Sequence, residues 1–349
     1  MVGISGVTAI IGAQWGSEAK GVVAAKIAHK FHAAVRTGGP NAGHSLRYAG
    51  RTYKMRSVPC AWVNPDAWLI IGPGAEVKRE LLIHEIESLP PRIMYLDPRA
   101  IIITHAMELA EQRLIGKIGS TAEGVGQARM ARIARDPNGE PVLARDYVWP
   151  PAVIVQDTVP LLFDLLNSGR AVMLEGTQGS GLSIYSDSWP KVTSRDTNVA
   201  GFLSEAGIAP YFLSHTLLVA RSYPIRVGGN SGQMGRELDW SVIPGHPTPE
   251  TTTVTGRQRR IAIWDDVVFR DAIIRNHPCG VVLSFGDYLD PSIAGTTSYA
   301  DIASSAPIKA MVNKIESDFD VPVIAVGTGG PEWEYVGIET CSHGERWLQ

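Results

Sequence analysis

Three stretches of this sequence combine residue types that can do chemistry on phosphates and carboxylates. The first is Gly12–Gly21 (GAQWGSEAKG), a glycine-bearing loop that carries Lys20. It follows a short apolar run and precedes an amphipathic pattern. Its backbone N–H groups would therefore sit at a helix N-terminus, where the helix dipole favours an anion. Lys20 stands where an ammonium could reach a terminal phosphate. The string is not GxxxxGK[ST], so the ordinary P-loop reading fails, and a plain glycine turn fits the spacing equally well. The second stretch holds His44 between Gly43 and Ser45. Such a histidine can exchange a proton near neutral pH, or it can be a loop residue satisfied by a partner. The third is Thr251–Arg260, rich in threonine and arginine. It reads either as a grip for an anionic group or as a basic surface loop.

Strands and helices must position these groups. Val7–Ile11 (VTAII) is an apolar run of buried-strand length. Beyond the loop, Val23, Ile27 and Phe31 recur with helical spacing while Lys26 and Lys30 fall off that stripe, which predicts an amphipathic helix. Further short apolar runs predict central strands at Trp68–Ile71, Ala171–Leu174, Leu217–Ala220, Val281–Ser284 and Val323–Val326. Helical patterns lie between them, marked by Leu81, Leu82 and Ile86, by Leu161, Leu165 and Leu166, and by Ile308, Met311, Val312 and Ile315. This alternation predicts an α/β fold: a mostly parallel central sheet covered by helices, with loop and helical insertions. Right-handed crossovers would then gather the strand-end loops along one edge. Arg135–Pro151 reads as a surface loop, and Arg226–Thr255 as a long functional one. No repeat or low-complexity segment breaks the chain, so a single domain over 1–349 is expected.

Composition bounds the partners. The 349 residues carry 32 Lys and Arg against 35 Asp and Glu, a net charge of -3, so no broad basic field points to nucleic acid. The 3 cysteines, Cys60, Cys279 and Cys341, form no CxxC and suit a reducing compartment better than a disulfide framework. No HExxH or paired-histidine spacing points to zinc. The longest apolar runs, such as Trp68–Ile71 and Ala100–Ile103, fall far short of the roughly 20 residues of a membrane span. No signal peptide is evident after Met1, and a cytoplasmic protein is expected.

The literal strings add more than the spacing does. QWGSEAKG (Gln14–Gly21) closely resembles the QWGDEGKG signature of the adenylosuccinate synthetase family. In order along the chain, GGPNAGHS (Gly38–Ser45) resembles GGHNAGHT, GSTAEGVG (Gly119–Gly126) resembles GTTGRGIG, and LEGTQG (Leu174–Gly179) resembles FEGAQG. PKVTSRDTN (Pro190–Asn198) resembles PYVTSSNTT, TGRQRR (Thr255–Arg260) resembles TGRRRR, LSFGDYLD (Leu283–Asp290) resembles LTKLDVLD, and Gly327–Gly329 resembles the STG near the family's C-terminus.

The resemblance implies a ligase that joins L-aspartate to carbon 6 of a purine nucleotide. The γ-phosphoryl group of a nucleoside triphosphate first activates oxygen 6, and the aspartate amine then displaces phosphate, with Mg²⁺ as cofactor. It assigns catalysis to Ser17, Lys20 and His44, with His44 as the general acid. It places the purine monophosphate on Ser17, Asn41, Ser120, Thr121, Gln178 and Thr193. Arg135 would cross a homodimer interface to reach that monophosphate. Aspartate falls to Val254, Thr255 and Arg257. The triphosphate falls to Gly16, Glu18, Ala19, Lys20, Gly21, Gly43, His44, Ser45, Arg259, Ser284, Phe285, Asp287, Gly327 and Gly329. Ser17 and Gly43 would take the metal.

Two departures from the family pattern bear on substrate choice. Ser17 stands where the family has an aspartate, and a serine hydroxyl is neither a base near neutral pH nor an equal metal ligand. Phe285 stands where the family has a lysine beside the guanine-reading aspartate, here Asp287, which leaves room for ATP or dATP as well as GTP. Three readings follow: an inactive relative, an ordinary synthetase acting on IMP with a displaced base, or the phage branch that makes succino-2-amino-deoxyadenylate from dGMP. The last is favoured, because short-form members of that branch resemble this sequence in carrying serine here, and because Lys20, His44, Thr255 and Arg257 are all retained. A nucleotide-dependent switch is the competing class, but two nucleotide sites and an aspartate loop exceed what a switch needs.

Overall fold

The computed structural model describes residues 4–136, 142–252, 256–344 and 346–348. A ten-stranded sheet runs through the chain. From one edge its order is Glu334–Gly337, Val323–Gly329, Gly280–Ser284, Leu213–Arg221, Gly6–Gly12, Ala171–Glu175, Ala33–Arg36, Trp68–Ile71, Met94–Leu96 and Val153–Val155. Every neighbouring pair is parallel except the edge pair Val323–Gly329 and Glu334–Gly337. The first strand of the chain lies near the middle, and later strands are laid down on both sides of it.

Both faces of the sheet are covered, which is why its strands read as unbroken apolar runs rather than alternating ones. Ile10, Leu69, Ile71, Met173 and Val219 pack into one core, while Val7, Ala9, Ile11, Ile70, Val172, Leu174 and Leu218 pack into the other. The helices Arg79–Glu87, Thr158–Asn167 and Ala306–Phe319 form where the periodicity placed them. The last two are capped by side chains, Asp157 accepting from Val159 N–H and Ser305 from Ile308 N–H.

Three local expectations are corrected. The helix after the first loop spans Lys20–Ile27 and gives way to a 3-10 turn at Ala28–Lys30. Phe31 therefore lies beyond the helix, in extended backbone, buried and stacked on Trp347 as the chain turns into Ala33–Arg36. The stretch Arg226–Thr255 is no bare loop. Ile225–Val227 and Glu237–Leu238 flank Arg259–Ala262 in a small antiparallel sheet, and strands this short show no readable alternation. Within Arg135–Pro151, Ala144 is fully buried and donates its N–H to Ala100 C=O at 2.9 Å, so part of that segment belongs to the interior.

A buried ionic network fixes the loops that follow the strands. Arg195 is almost completely buried and pairs with Glu76 and with Glu205 at 2.7 Å. It also donates to the Thr37 carbonyl at 2.5 Å, which pins the start of the glycine-rich segment leading to His44. Arg129 adds contacts to Glu76 at 2.9 Å and Glu205 at 2.8 Å. Removing one partner leaves a charge stranded in the interior. We therefore expect Glu76→Ala to lower the unfolding free energy by about 3–5 kcal/mol in chemical denaturation. A loss under about 1 kcal/mol would show that the network is a bystander.

Candidate active site

Arg36, Glu175, Arg221 and Ser284 are each the last residue of a parallel strand. The site residues cluster beyond these carboxyl ends, where open α/β sheets bind ligands. A cleft of about 520 Å³ lies there, lined in part by Ser17, Lys20, His44, Arg259, Phe285 and Asp287.

The loop Gly12–Ala19 is held from within. The Glu18 carboxylate accepts from Gln14 N–H at 3.1 Å and Gly16 N–H at 2.8 Å, and pairs with Lys20 Nζ at 2.6 Å. Gln14 exchanges two hydrogen bonds of 3.0 Å with the backbone of Arg221, fastening the loop to the neighbouring strand. Ser17 and Ala19 adopt left-handed backbone, with φ of 62° and 69°. Ser17 is exposed on the cleft wall, and its carbonyl accepts from Arg221 at 3.1 Å. Gly21 opens the following helix against His44; a Cβ there would meet His44 Cβ at 2.6 Å.

His44 Nδ1 lies 2.5 Å from Glu175 Oε1. Arg36 donates to the same carboxylate oxygen at 3.1 Å, and Cys60 N–H donates to the other at 2.6 Å. Burial first, then the Arg36 guanidinium, holds the imidazole down at about 4. Burial pushes against it, but the His44 hydrogen bond and Arg36 keep Glu175 below the usual carboxylate range. The pair is thus a neutral imidazole donating Nδ1–H to a carboxylate, with Nε2 buried and without a partner among the described residues. His44, Cys60 and Glu175 also bring their ligand atoms within 4.8 Å of one another. The Arg36 guanidinium in the same cluster opposes a cation there, and burial raises the Cys60 thiol well above its ordinary value.

At the other end of the cleft, Arg221 lies over the Phe285 ring at 3.7 Å and pairs with Glu250 at 2.5 Å. Arg259 and the Tyr288 hydroxyl both reach Glu250 at 3.1 Å. Asp287 Oδ1 is buried without a partner among the described residues, and burial raises that carboxyl. A second cluster lies outside the cleft. Gln178 donates to Asn41 Oδ1 at 3.1 Å, and Asn41 donates to Thr193 at 3.4 Å. The Ser120–Thr121 loop is braced nearby by Glu111, which accepts from Gly124 N–H and, at 3.1 Å, Gly126 N–H. Arg257 N–H closes a turn onto Thr252 Oγ at 3.1 Å.

Most of the residues expected around the triphosphate do line the cleft. Gly16 and Ser284 do not: the Gly16 N–H is taken by Glu18 within the loop, and the buried Ser284 hydroxyl bonds Tyr335 at 2.8 Å. Glu18 is on the wall, but its carboxylate faces loop N–H groups and Lys20 instead of the cleft. Arg135 ends its helix exposed, at a φ of 51°. Val254 and Thr255 fall outside the described residues. Glu175, Arg221, Glu250 and Trp333 were missed by sequence reading; only Glu175 carried a signal, within LEGTQG.

A model of the adenylosuccinate synthetase family matches residues 9–139 and 144–299, and the chain belongs to that family. The family's members are C–N ligases that use aspartate, and so is this chain. It is 33% identical to the adenylosuccinate synthetase of Archaeoglobus fulgidus over 95% of this chain and 97% of that protein. It is 34% identical to the Methanococcus aeolicus enzyme over 92% and 96% respectively. Its fold matches cyanophage S-2L succinoaminodeoxyadenylate synthetase (PurZ), bound to dGMP and to dATP as an energy donor. That match has a TM-score of 0.82 and 25% identity, covering 97% of this chain and 96% of that one. It also matches the fold of Plasmodium falciparum adenylosuccinate synthetase with a TM-score of 0.81, at 21% identity, over 96% of this chain and all of that one.

The family implies Mg²⁺. Ser17 and Gly43, the two residues expected to take it, both line the cleft and have only neutral oxygens, while the nearby Glu18 carboxylate is already engaged with Lys20. That set suits an ion that keeps most of its shell from phosphate and water, as Mg²⁺ does.

The His44 geometry is directly measurable. In the ligand-free protein His44 is expected to remain the neutral Nδ1–H tautomer as pH falls from 8 and to protonate only near 4. Proton–nitrogen correlation spectra of the imidazole read both points. Protonation near pH 6, or an Nε2–H tautomer, would contradict the arrangement.

Proposed function

We propose that this ligase acts on dGMP, with ATP as phosphate donor, to give succino-2-amino-deoxyadenylate, a precursor of 2-aminoadenine for DNA. The observation that carries the reading is Ser17. Left-handed backbone is tolerated better by Gly, Asn and Asp than by Ser, so the φ of 62° gives no reason for a serine. The loop around it is intact, and Lys20, His44, Glu175 and Arg257 are retained. That pattern fits respecification better than decay. The ligands of the cyanophage relative, dGMP and dATP, support the same assignment.

The chemistry rests on this chain's own groups. In this reading the donor's phosphates lie at the N-terminus of helix Lys20–Ile27, with Lys20 turning from Glu18 toward them. Ser17 and Gly43 would hold Mg²⁺, which would neutralise charge on the phosphate oxygens. His44 presents bare Nε2 to the reacting centre. An arriving anion raises its proton affinity, and Glu175 stabilises the imidazolium, so His44 gains the proton it needs as general acid when substrates are bound. Asn41, Thr121, Gln178 and Thr193 hold the monophosphate nucleotide. Gln178 Oε1, buried and without a partner among the described residues, is available to an N–H of the base. Arg257, with Thr255 and Val254, receives aspartate. Phe285, with Arg221 over its ring at 3.7 Å, takes the place of the family's lysine at the donor base, which removes half of the guanine-reading pair and admits adenine.

A second reading, an ordinary synthetase using IMP and GTP, is favoured by the curated relatives above 30% identity. Offering IMP, GMP, dIMP and dGMP separately with aspartate, Mg²⁺ and ATP separates the two. A buried acceptor left empty by hypoxanthine costs about 1–3 kcal/mol, so dGMP should exceed IMP by tens- to hundreds-fold in kcat/KM. Faster use of IMP would assign the chain to the ordinary reaction. The same assay with GTP should show no preference for GTP over ATP; a preference of about tenfold, worth ~1.4 kcal/mol, would mean Asp287 dominates donor choice.

The active form in this reading is a homodimer in which Arg135 reaches the partner's monophosphate. Arg135→Ala and His44→Asn proteins, each nearly inactive, should regain activity when mixed and allowed to exchange subunits. Exchange without recovery would place Arg135 outside the site.

A further inference from the structure

The cleft has an aromatic wall that no family motif covers. Trp333 lies in the turn between Val323–Gly329 and Glu334–Gly337, facing the same cleft as Asp287 and Gly329. Its backbone is left-handed, with φ of 52°, a region a bulky side chain holds only when its surroundings over-determine it. Those surroundings are on both sides. Glu334 pairs with Lys26 of the phosphate-loop helix at 2.7 Å, and Glu332 approaches Arg47 of the His44–Tyr48 strand at 3.7 Å. The turn is therefore tethered to the two elements that flank the phosphate end of the cleft. Of the other aromatics lining the cleft, Phe285 is already engaged, with Arg221 over its ring at 3.7 Å and Tyr288 at 5.2 Å, while the Tyr288 and Tyr335 hydroxyls bond Glu250 and Ser284. Trp333 makes no ring or cation contact among the described residues and is only partly buried.

We propose that Trp333 is the platform on which the donor nucleobase stacks, with Asp287 Oδ1, which has no partner among the described residues, at the edge of that base. The proposal rests on reading the cleft as the triphosphate site. Every purine has a π-face, so a tryptophan supplies affinity with little discrimination, whereas Asp287 reads an amino group. Trp333 is in this sense a binding residue for the base and not for the phosphates.

Calorimetric titration of the intact protein with ATP and, separately, with inorganic tripolyphosphate tests it. Loss of one base–aromatic stack should weaken ATP binding by about tenfold or more in Trp333→Leu, while tripolyphosphate affinity stays within about twofold and Trp333→Phe keeps most of the wild-type affinity. A merely structural role would weaken ATP and tripolyphosphate together, and that outcome overturns the proposal, as does unchanged ATP affinity in Trp333→Leu. Wild-type protein that binds tripolyphosphate and aspartate but not ATP would instead sink the reading of the cleft, and the proposal with it. Should Trp333→Leu not fold, ATP-induced fluorescence quenching in wild type and Trp333→Phe reads the same contact. Quenching lost in Trp333→Phe supports it, and equal quenching in both excludes it.

Discussion

The buried Glu175 carboxylate is the constraint on which the rest of the site depends. It ends a central strand, so its position is set by the sheet and not by a loop. From there it accepts from His44, Arg36 and the backbone of Cys60, and so joins the end of Ala33–Arg36, the start of His44–Tyr48 and the turn at Cys60. An unpaired carboxylate at that depth would be untenable; a fully paired one is a rigid anchor. The anchor holds the His44 ring by Nδ1 and fixes its tautomer, which leaves Nε2 without a proton or a partner among the described residues.

A similar logic governs the cations. A site for two nucleotides and a dicarboxylate must concentrate positive charge, which would repel itself when empty. Here Glu18 holds Lys20, and Glu250 holds Arg221 and Arg259. These internal anions keep the basic groups assembled. The arrangement also explains why Glu18 lies on the cleft wall without offering its carboxylate to a ligand.

Much of the fold was legible because doubly covered parallel strands are uniformly apolar, so Trp68–Ile71 and Ala171–Leu174 stand out as runs. The helix end before Phe31 was not legible. Phe31 continues the helical spacing, and only the tertiary demand to enter Ala33–Arg36 ends the helix. The small sheet of Ile225–Val227, Glu237–Leu238 and Arg259–Ala262 was hidden by strands too short to show a period. The wall of the cleft was visible through the glycine-rich strings, since backbone approach leaves a signature in residue type. Its electrostatics were hidden, because Arg221 meets Glu250, and Glu175 meets His44, Arg36 and Cys60, only in three dimensions, from positions remote in sequence. Trp333 lay outside every recognisable string and emerges only from where the edge strand turns.

Ser17 is where sequence and structure bear together on substrate choice. The backbone there accepts an aspartate at least as readily as a serine, so the exchange can be made with little strain. The decisive measurement is the ratio of kcat/KM for dGMP to that for IMP in Ser17→Asp compared with the wild type. If Ser17 sets the purine, the ratio falls by about tenfold or more, the scale expected for changing one polar contact to the base. A ratio that stays where it was would show that the purine is chosen elsewhere in the site.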